Sequence, residues 1–581
     1  MNTQNKLTVY LAWGGILTLL LLFVLTPLQN NTALQNSVTI SKTFFFAEGL
    51  LLLLLMGSIT WLCLNRHIWI SYSRIDLVFT ILVLYIVLRS GGRVSPRVIE
   101  LIALMVFYVV LRRCRLRHFL FILYAIAVAG IIQSVYGLLQ LYNILPTHSQ
   151  FRLTGTFFNL GAYAAFIALS ACISLVLIFY FKDKRMTLIP QLNIVLAIII
   201  LPITQNRAAW IALIVVGIFL YARFIKRYLL YGVLVVAGVL VLAGGYYLKK
   251  DSADGRVLIW KVTSQMIAEH PLTGIGYDRF AATYMKYQAA YMTTQGTPGE
   301  KQLADNVYYA FNDLLQLTAE SGMIGALGML LLIVFCFTVK GYDRFRYAGQ
   351  AIILGYMIIG MFYYPHFILP LKMTGVLGLA MLSRMDRSVI RQLHIGRVPK
   401  LLVMGITLIV SVMGMMLITQ YKTAYRQWGQ AEAAYQHQRF NESIRYFEQA
   451  LSQLPQDGEL LSAAGKAYFL ADSLGKAALY LTQSRDFLNN TVIETTLGDI
   501  SVQQQHYAAA ERYYQQALSM VPNRFYTEYM LLKLYVASNE NEKACTRANL
   551  ILHKTVKVSS TAVQQIQDSA RVYYDNNKCH H

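Results

Sequence analysis

Two arginines, a few carboxylates and two histidines stand where an otherwise apolar chain changes character. Arg207 lies in Thr204-Gln205-Asn206-Arg207-Ala208-Ala209-Trp210, at the junction of two apolar runs. A charge there is costly unless an anion or water meets it. Taken alone, such an arginine is a snorkelling interfacial residue. Its guanidinium is also a planar fork of donors, matched to phosphate oxygens and charged at any relevant pH. Arg256 follows Gly255 and precedes a run in which Ile259, Val262, Met266 and Ile267 recur at helical spacing. That stripe predicts an amphipathic helix lying on or against a membrane, with Arg256 either solvated or facing an anion.

A second kind of chemistry, proton transfer, needs an acceptor within hydrogen-bond reach of the group it serves. Asp305, Asp313, Glu320 and His366 are the candidates. Asp305 comes first because it is expected to precede a helix on the outer side, where it would serve equally well as an N-cap. His270, in His270-Pro271-Leu272-Thr273-Gly274-Ile275-Gly276, reads first as a helix-ending residue, with glycines that permit a sharp turn. No phosphate-binding loop, His-Glu-x-x-His helix, Cys-x-x-Cys pair or nucleophile elbow occurs. Nor is there an outer-loop Asp-x-Asp or Glu-x-Asp motif, so metal-free, cofactor-free chemistry is expected.

The elements that carry these residues belong to a membrane protein. Of 581 residues, 56% are hydrophobic and 14% charged. About thirteen apolar stretches approach the 17–25 residues that a helix needs to cross about 30 Å of hydrocarbon. They run from 9–28 to 401–420; those at 75–90 and 97–111 are short. The net charge of +22 sits in clusters between them. Arg112, Arg113, Arg115 and Arg117 form one; Lys182, Lys184 and Arg185 another; Arg223, Lys226 and Arg227 a third. A fourth holds Arg384, Arg387, Arg391, Arg397 and Lys400. Short cationic loops of this kind mark the cytoplasmic side. A basic face with stacking aromatics is missing, which argues against nucleic acid. An odd number of spans from a cytoplasmic N-terminus puts both the polar excursion at 251–321 and everything after 420 outside. Arg89, Arg93 and Arg97 break that pattern.

After 420 the chain turns polar and self-similar. Ala431, Phe447, Ala450 and Pro455 recur 67 positions later as Gly498, Tyr514, Ala517 and Pro522, with Gly465, Tyr468 and Ala477 between them. Half that spacing is about the length of a tetratricopeptide repeat, and the pattern resembles three or four of them. Cys545 and Cys579 could pair if this tail is exported.

Four dispersed elements resemble the O-antigen ligase superfamily, which includes O-antigen polymerases and protein O-oligosaccharyltransferases. They are Gly155-Thr156-Phe157-Phe158-Asn159, the Arg207 segment, Gly255-Arg256 with Trp260, and the His270–Gly276 stretch. A fifth departs from the ligases. Where those of lipid A core carry His-x-His-Asn, this chain has Tyr309-Ala310-Phe311-Asn312, and phenylalanine cannot move a proton. The resemblance implies an all-α fold: a polytopic transmembrane bundle of about 12–13 spans over residues 1–420, with a large periplasmic loop at about 249–321. A soluble α-solenoid over 421–581 follows.

It also implies a bacterial inner-membrane enzyme that takes a glycan from an undecaprenyl-diphosphate donor. Arg207 and Arg256 would engage the diphosphate, and Arg152, Asn159, His270, Asn312 and His366 would bind substrate. The transfer would invert the anomeric carbon. Lipid A core, a hydroxyl on an exported protein, or another repeat unit are the open acceptors, and the repeats could bind a partner protein. A non-enzymatic scaffold is the rival, but a simple anchor needs one span.

Overall fold

The computed structural model describes residues 3–63, 68–147, 151–180, 184–222, 250–340, 343–386, 389–395, 397–577 and 579. It is α-helical apart from one two-stranded ribbon, and the chain divides into two compact units. One comprises Met1–Leu248, Phe311–Leu314 and Met323–Arg426. The other comprises Lys249–Ala310, Leu315–Gly322 and Gln427–His581.

The first is a membrane unit. Eight helices of the described residues are long and apolar enough to span: Val9–Leu28, Ser37–Thr60, Leu116–Leu141, Leu160–Phe179, Arg185–Thr204, Asp313–Thr338, Arg344–Phe362 and Leu401–Gln436. Arg207–Tyr221 is apolar but shorter. Among the described residues these eight stand against about thirteen expected stretches. Stretches 75–90, 97–111 and 368–383 form helices Arg74–Arg89, Pro96–Arg112 and Leu369–Met385, of 16, 17 and 17 residues. At 1.5 Å per residue these fall short of a 30 Å core. Leu369–Met385 is sheathed in protein along most of its length, so lipid thickness does not set its length. The expected span at 229–248 lies outside the described residues, as do Lys182, Arg223, Lys226, Arg227 and Arg387. Burial sorts the spans: Leu160–Phe179 is central, whereas the last span leaves Leu402, Ile409, Met413 and Met416 exposed, as a lipid-facing helix would.

A short ribbon replaces the expected loops between helices. Ile68–Ser73 pairs antiparallel with Val389–Ile395, Ser71 opposite Gln392. Ser73 ends the strand and caps helix Arg74–Arg89 in a capping box with Asp76. Asp76 then anchors a buried knot. Arg112 reaches its two oxygens through Nε and Nη2, each at 3.1 Å, while Tyr108 and Ser383 donate to Oδ1 at 2.5 and 2.7 Å.

The second unit joins the polar excursion to the tail. Helix Lys250–Glu269 begins earlier than the glycine at 255 suggested, so Gly255 and Arg256 lie inside it. Its apolar stripe packs against protein. Leu258, Val262 and Met266 are buried within this unit, where the helix packs against Phe280–Thr294. The tail is a row of helical hairpins: Gly458–Leu470 with Leu474–Ser484, Thr491–Gln503 with Tyr507–Met520, and Phe525–Ala537 with Asn541–His553. Phe440–Leu451 turns back on the end of the long helix before them, and Thr561–Asn576 follows them.

Hairpin turns place Gln438, Asp472, Gln505 and Asn539 in the left-handed region, 34, 33 and 34 residues apart. The small residues flagged by the internal repeat are sites of close approach. A methyl on Gly465 would meet Leu481 at 2.6 Å, and one on Gly498 would meet Tyr514 at 2.4 Å. Helix Phe280–Thr294 packs on Tyr507–Met520. The excursion and the hairpins thus belong to one compact unit. A disulfide joins Cys545 to Cys579 at the far end.

Candidate active site

In the membrane unit, a tight turn between two spans sets Arg207. Gln205 adopts φ +49°, strained for a residue with a side chain, and Asn206 caps helix Arg207–Tyr221 by accepting from Ala209 N. Arg207 is thus the first residue of a helix, where the positive end of the macrodipole disfavours a cation. Its Nη2 is buried with no hydrogen-bond partner among the described residues. A cation in that position has a donor free to meet an acceptor that the described residues do not supply.

Asn206 leads from the arginine to a polar and aromatic cluster. Its amide donates to Gly161 O at 3.3 Å, and Gly161 lies so close under Tyr363 that a methyl there would stand 2.6 Å from the ring. Asn159 accepts from Tyr363 at 2.7 Å, donates to Tyr364 at 2.9 Å, and caps its own helix through Ala162 N. Tyr363 and Tyr364 stack, and Tyr364 meets the Phe311 ring edge-on at 5.2 Å. Phe311 itself has φ +52°. Asn312 donates to Met361 O at 3.2 Å.

Next to it, Asp313 opens the following helix and is hydrogen-bonded to His366 Nδ1. A methyl on Gly360 would stand 3.1 Å from Asp313, so the opposing helix comes close to the carboxylate. A carboxylate on Nδ1 fixes the imidazole's orientation and leaves Nε2 to take a proton. Phe367, beside the imidazole, carries the Arg97 guanidinium on its face at 4.1 Å. Lys372 pairs with Glu100 nearby in sequence to both.

Those contacts give Arg97 a local setting that the charge pattern alone left anomalous. Lys42 holds the Gly155–Asn159 loop from the other side by donating to Thr156 O at 2.7 Å. Arg152 is exposed just before that loop.

The excursion unit holds the remaining candidates. Arg256 is half-buried on its helix, and four residues on Trp260 donates Nε1 to Ala310 O at 3.0 Å. Ala310 N in turn donates to Gln316 at 2.8 Å. His270 is exposed and ends the helix, as its sequence position suggested. The glycines after it serve close backbone packing. Ile275 N and Gly276 N donate to Ala319 O and Glu320 O, both at 2.9 Å, and a methyl on Gly322 would strike Leu272 O at 2.1 Å. Gly322 has φ +68°, a kink that leaves no room for any other residue.

Asp305 does not precede a helix. It lies in an irregular stretch between Pro298–Leu303 and Asp313, bonded to Asn306 N and to Arg524 at 3.4 Å. Glu300 shows how this unit handles exposed charge. Partial burial works against its carboxylate, yet donors on Lys261, Thr297 and Tyr291 hold it down to about 2. Burial beside Glu459 and Asp278 drives the Asp457 carboxyl up to about 6, despite two backbone donors.

Asn159, Phe311, Tyr363, Tyr364, His366 and Asp313 thus meet at one end of the membrane unit, with Arg207 linked to them through Asn206. Pairing of Asp313 with His366 escaped the sequence reading, although both residues were candidates. The signal was there: an aspartate at the threshold of an apolar run, and a histidine in Tyr363-Tyr364-Pro365-His366, another threshold.

A polytopic helical membrane protein with an arginine and a carboxylate-supported histidine at one end is the class this fold and site define. Residues 192–330 match the O-antigen ligase family. The chain is similar to two proteins named "Putative polysaccharide ligase", from Rickettsia bellii and Rickettsia conorii. The first is 27% identical over 233 residues, 37% of this chain and 55% of that protein. The second is 25% identical over 232 residues, 37% of this chain and 54% of that protein. The chain therefore spans about half the length of the curated relatives it matches.

Proposed function

We propose that this protein is an inner-membrane glycan transferase of the O-antigen ligase type, working on the periplasmic face. Its donor is a glycan on undecaprenyl diphosphate and its acceptor a hydroxyl. The observation that carries this reading is the buried Arg207 Nη2 at a helix N-terminus, with no hydrogen-bond partner among the described residues, at the same end of the unit as the His366–Asp313 pair. An anionic leaving group and a proton acceptor are what a displacement at an anomeric carbon requires.

His366 Nε2 takes the proton of the acceptor hydroxyl as its oxygen attacks the anomeric carbon. The bond from that carbon to the diphosphate breaks, and its electron pair stays on the departing phosphate oxygen. Arg207 stabilises that charge; Arg256, on its own helix, is the second proposed diphosphate contact. A single displacement inverts the anomeric centre. His366 replaces Asp305 as the proposed base, because Asp313 orients the imidazole whereas Asp305 is engaged with Arg524. Asn159 and Asn312 would contact the sugar or acceptor, with Arg152 and His270 as outer contacts.

The hairpins, with their 34-residue turn spacing, fit tetratricopeptide repeats. Phe311, where lipid A core ligases carry histidine, favours a hydroxyl on an exported protein as acceptor over lipid A core. A deletion strain should lose a glycan from its glycoproteins while its lipopolysaccharide profile stays unchanged. Loss from lipopolysaccharide alone would assign the acceptor to lipid A core, and no glycan change at all would end the transferase reading.

A further inference from the structure

The hairpin row is already occupied. Segment 302–310 of the excursion is stitched to it by polar contacts from separate hairpins. Asn306 and Thr491 exchange two hydrogen bonds: the side-chain amide donates to the hydroxyl at 3.2 Å, and Thr491 N donates back at 3.1 Å. Asn490 donates to the Tyr308 hydroxyl at 3.3 Å, and Asn523 donates to Gln302 O and Ala304 O at 2.6 and 3.1 Å. Arg524 binds Thr491 at 2.5 Å and Asp305 at 3.4 Å. Beneath them Gln288, wholly buried, donates to both Asp305 O and Met520 O.

The fastened segment has no regular secondary structure of its own from residue 304 onward. It runs through Ala310, held by Trp260 and Gln316, straight into Phe311 and Asp313. An irregular stretch leading to a reactive pair needs outside support, because its own backbone supplies little.

We propose that the C-terminal hairpins are a positioning clamp on segment 302–310, with Asn306 and Arg524 as positioning residues, and not primarily a free surface for a protein partner. The clamp fixes the backbone of 302–310, the segment that continues covalently into Phe311 and Asp313. This role rests on the transfer reading above. It does not require either residue to touch substrate.

The test uses the full-length protein in detergent or vesicles, with Asn306→Ala, Arg524→Ala, the double variant and Arg524→Lys. Amide hydrogen exchange of peptides covering 302–312 is read beside turnover of lipid-linked donor. In the double variant, exchange should rise about tenfold or more in that segment while the hairpin helices keep their protection. The kcat should fall about 10- to 10²-fold with the donor KM within about twofold, the signature of misplacement without lost binding. Arg524→Lys should restore most of both.

Unchanged exchange would overturn the clamp. So would faster exchange with normal kcat, or a defect confined to acceptor KM, which would make the hairpins an acceptor-docking surface. His366→Ala run alongside separates the two ideas. Normal turnover in that variant overturns the proposed base, while the exchange of 302–312 still decides whether the hairpins hold the segment.

Discussion

Two arginines of the membrane unit show how differently one residue type can be housed. Arg112 is the last residue of its helix, where the dipole favours a cation, and it grips both oxygens of Asp76 inside a shell of Tyr108, Ser73 and Ser383. Arg207 is the first residue of its helix, where the dipole opposes a cation, and leaves a buried nitrogen without a partner among the described residues. One is satisfied by its neighbours; the other keeps a donor unused among the described residues. The contrast fits a structural role for Arg112 and the proposed anion-binding role for Arg207.

Substitution should separate them. Arg112→Ala leaves the Asp76 carboxylate buried without its cation, which costs about 3–5 kcal/mol when a buried pair is broken. The expected outcome is a sharp fall in folded protein in the membrane and in thermal stability. Arg207→Ala should leave both unchanged and remove transfer. Equal instability in the two variants would erase the distinction. His366→Ala comes next in size: about 10²–10⁴-fold in turnover, the usual contribution of a positioned base, with donor binding intact.

The comparison extends to the second unit, which adds a disulfide and a titrating carboxyl to its ion pairs. Breaking the Cys545–Cys579 bridge, which closes a separation of 34 residues, should cost about 2–4 kcal/mol. Melting of the Cys545→Ser variant, with and without reductant on the native protein, reads that directly. Transfer at ambient temperature should persist.

A smaller effect is expected from Asp457, the N-cap of helix Gly458–Leu470. Its folded-state carboxyl titrates near 6, above its unfolded value, so the folded state binds the extra proton. Stability of this unit should therefore fall as pH rises from about 4 to about 6, by on the order of 2 kcal/mol, and level off above. Asp457→Asn keeps the cap and should flatten that slope in a pH series of melting curves. Smallest of all, Asp305→Asn should hold turnover within about a few-fold, since its pair with Arg524 is largely solvent-exposed.

What the sequence disclosed follows from how local each signal is. Membrane character, the internal repeat and its small-residue positions are patterns within a few dozen residues, and Gly465 and Gly498 sit where that pattern put them. Helix Lys250–Glu269 was legible in period but misread in setting, because an amphipathic stripe does not say whether lipid or protein covers it. Helices such as Leu369–Met385, of 17 residues, lie at the lower edge of spanning length, a margin that hydropathy does not resolve.

Pairing across long separations was least legible. Asp76 meets Ser383 across 307 residues, and Asp313 meets His366 across 53. Asp305 looked like a base because a helix was expected after it. The chain instead stays irregular until Asp313, where the carboxylate finds an imidazole.

The most direct measurement is transfer from undecaprenyl-diphosphate-linked glycan by purified protein carrying Arg207, Arg207→Ala or Arg207→Lys, with folded protein matched across the three. The account predicts a loss of at least about 10³-fold for alanine and little rescue by lysine, which supplies a point charge without the planar fork. Activity within a few-fold of the native protein in the alanine variant would contradict it, and would return Arg207 to the role of an arginine that merely reaches for water.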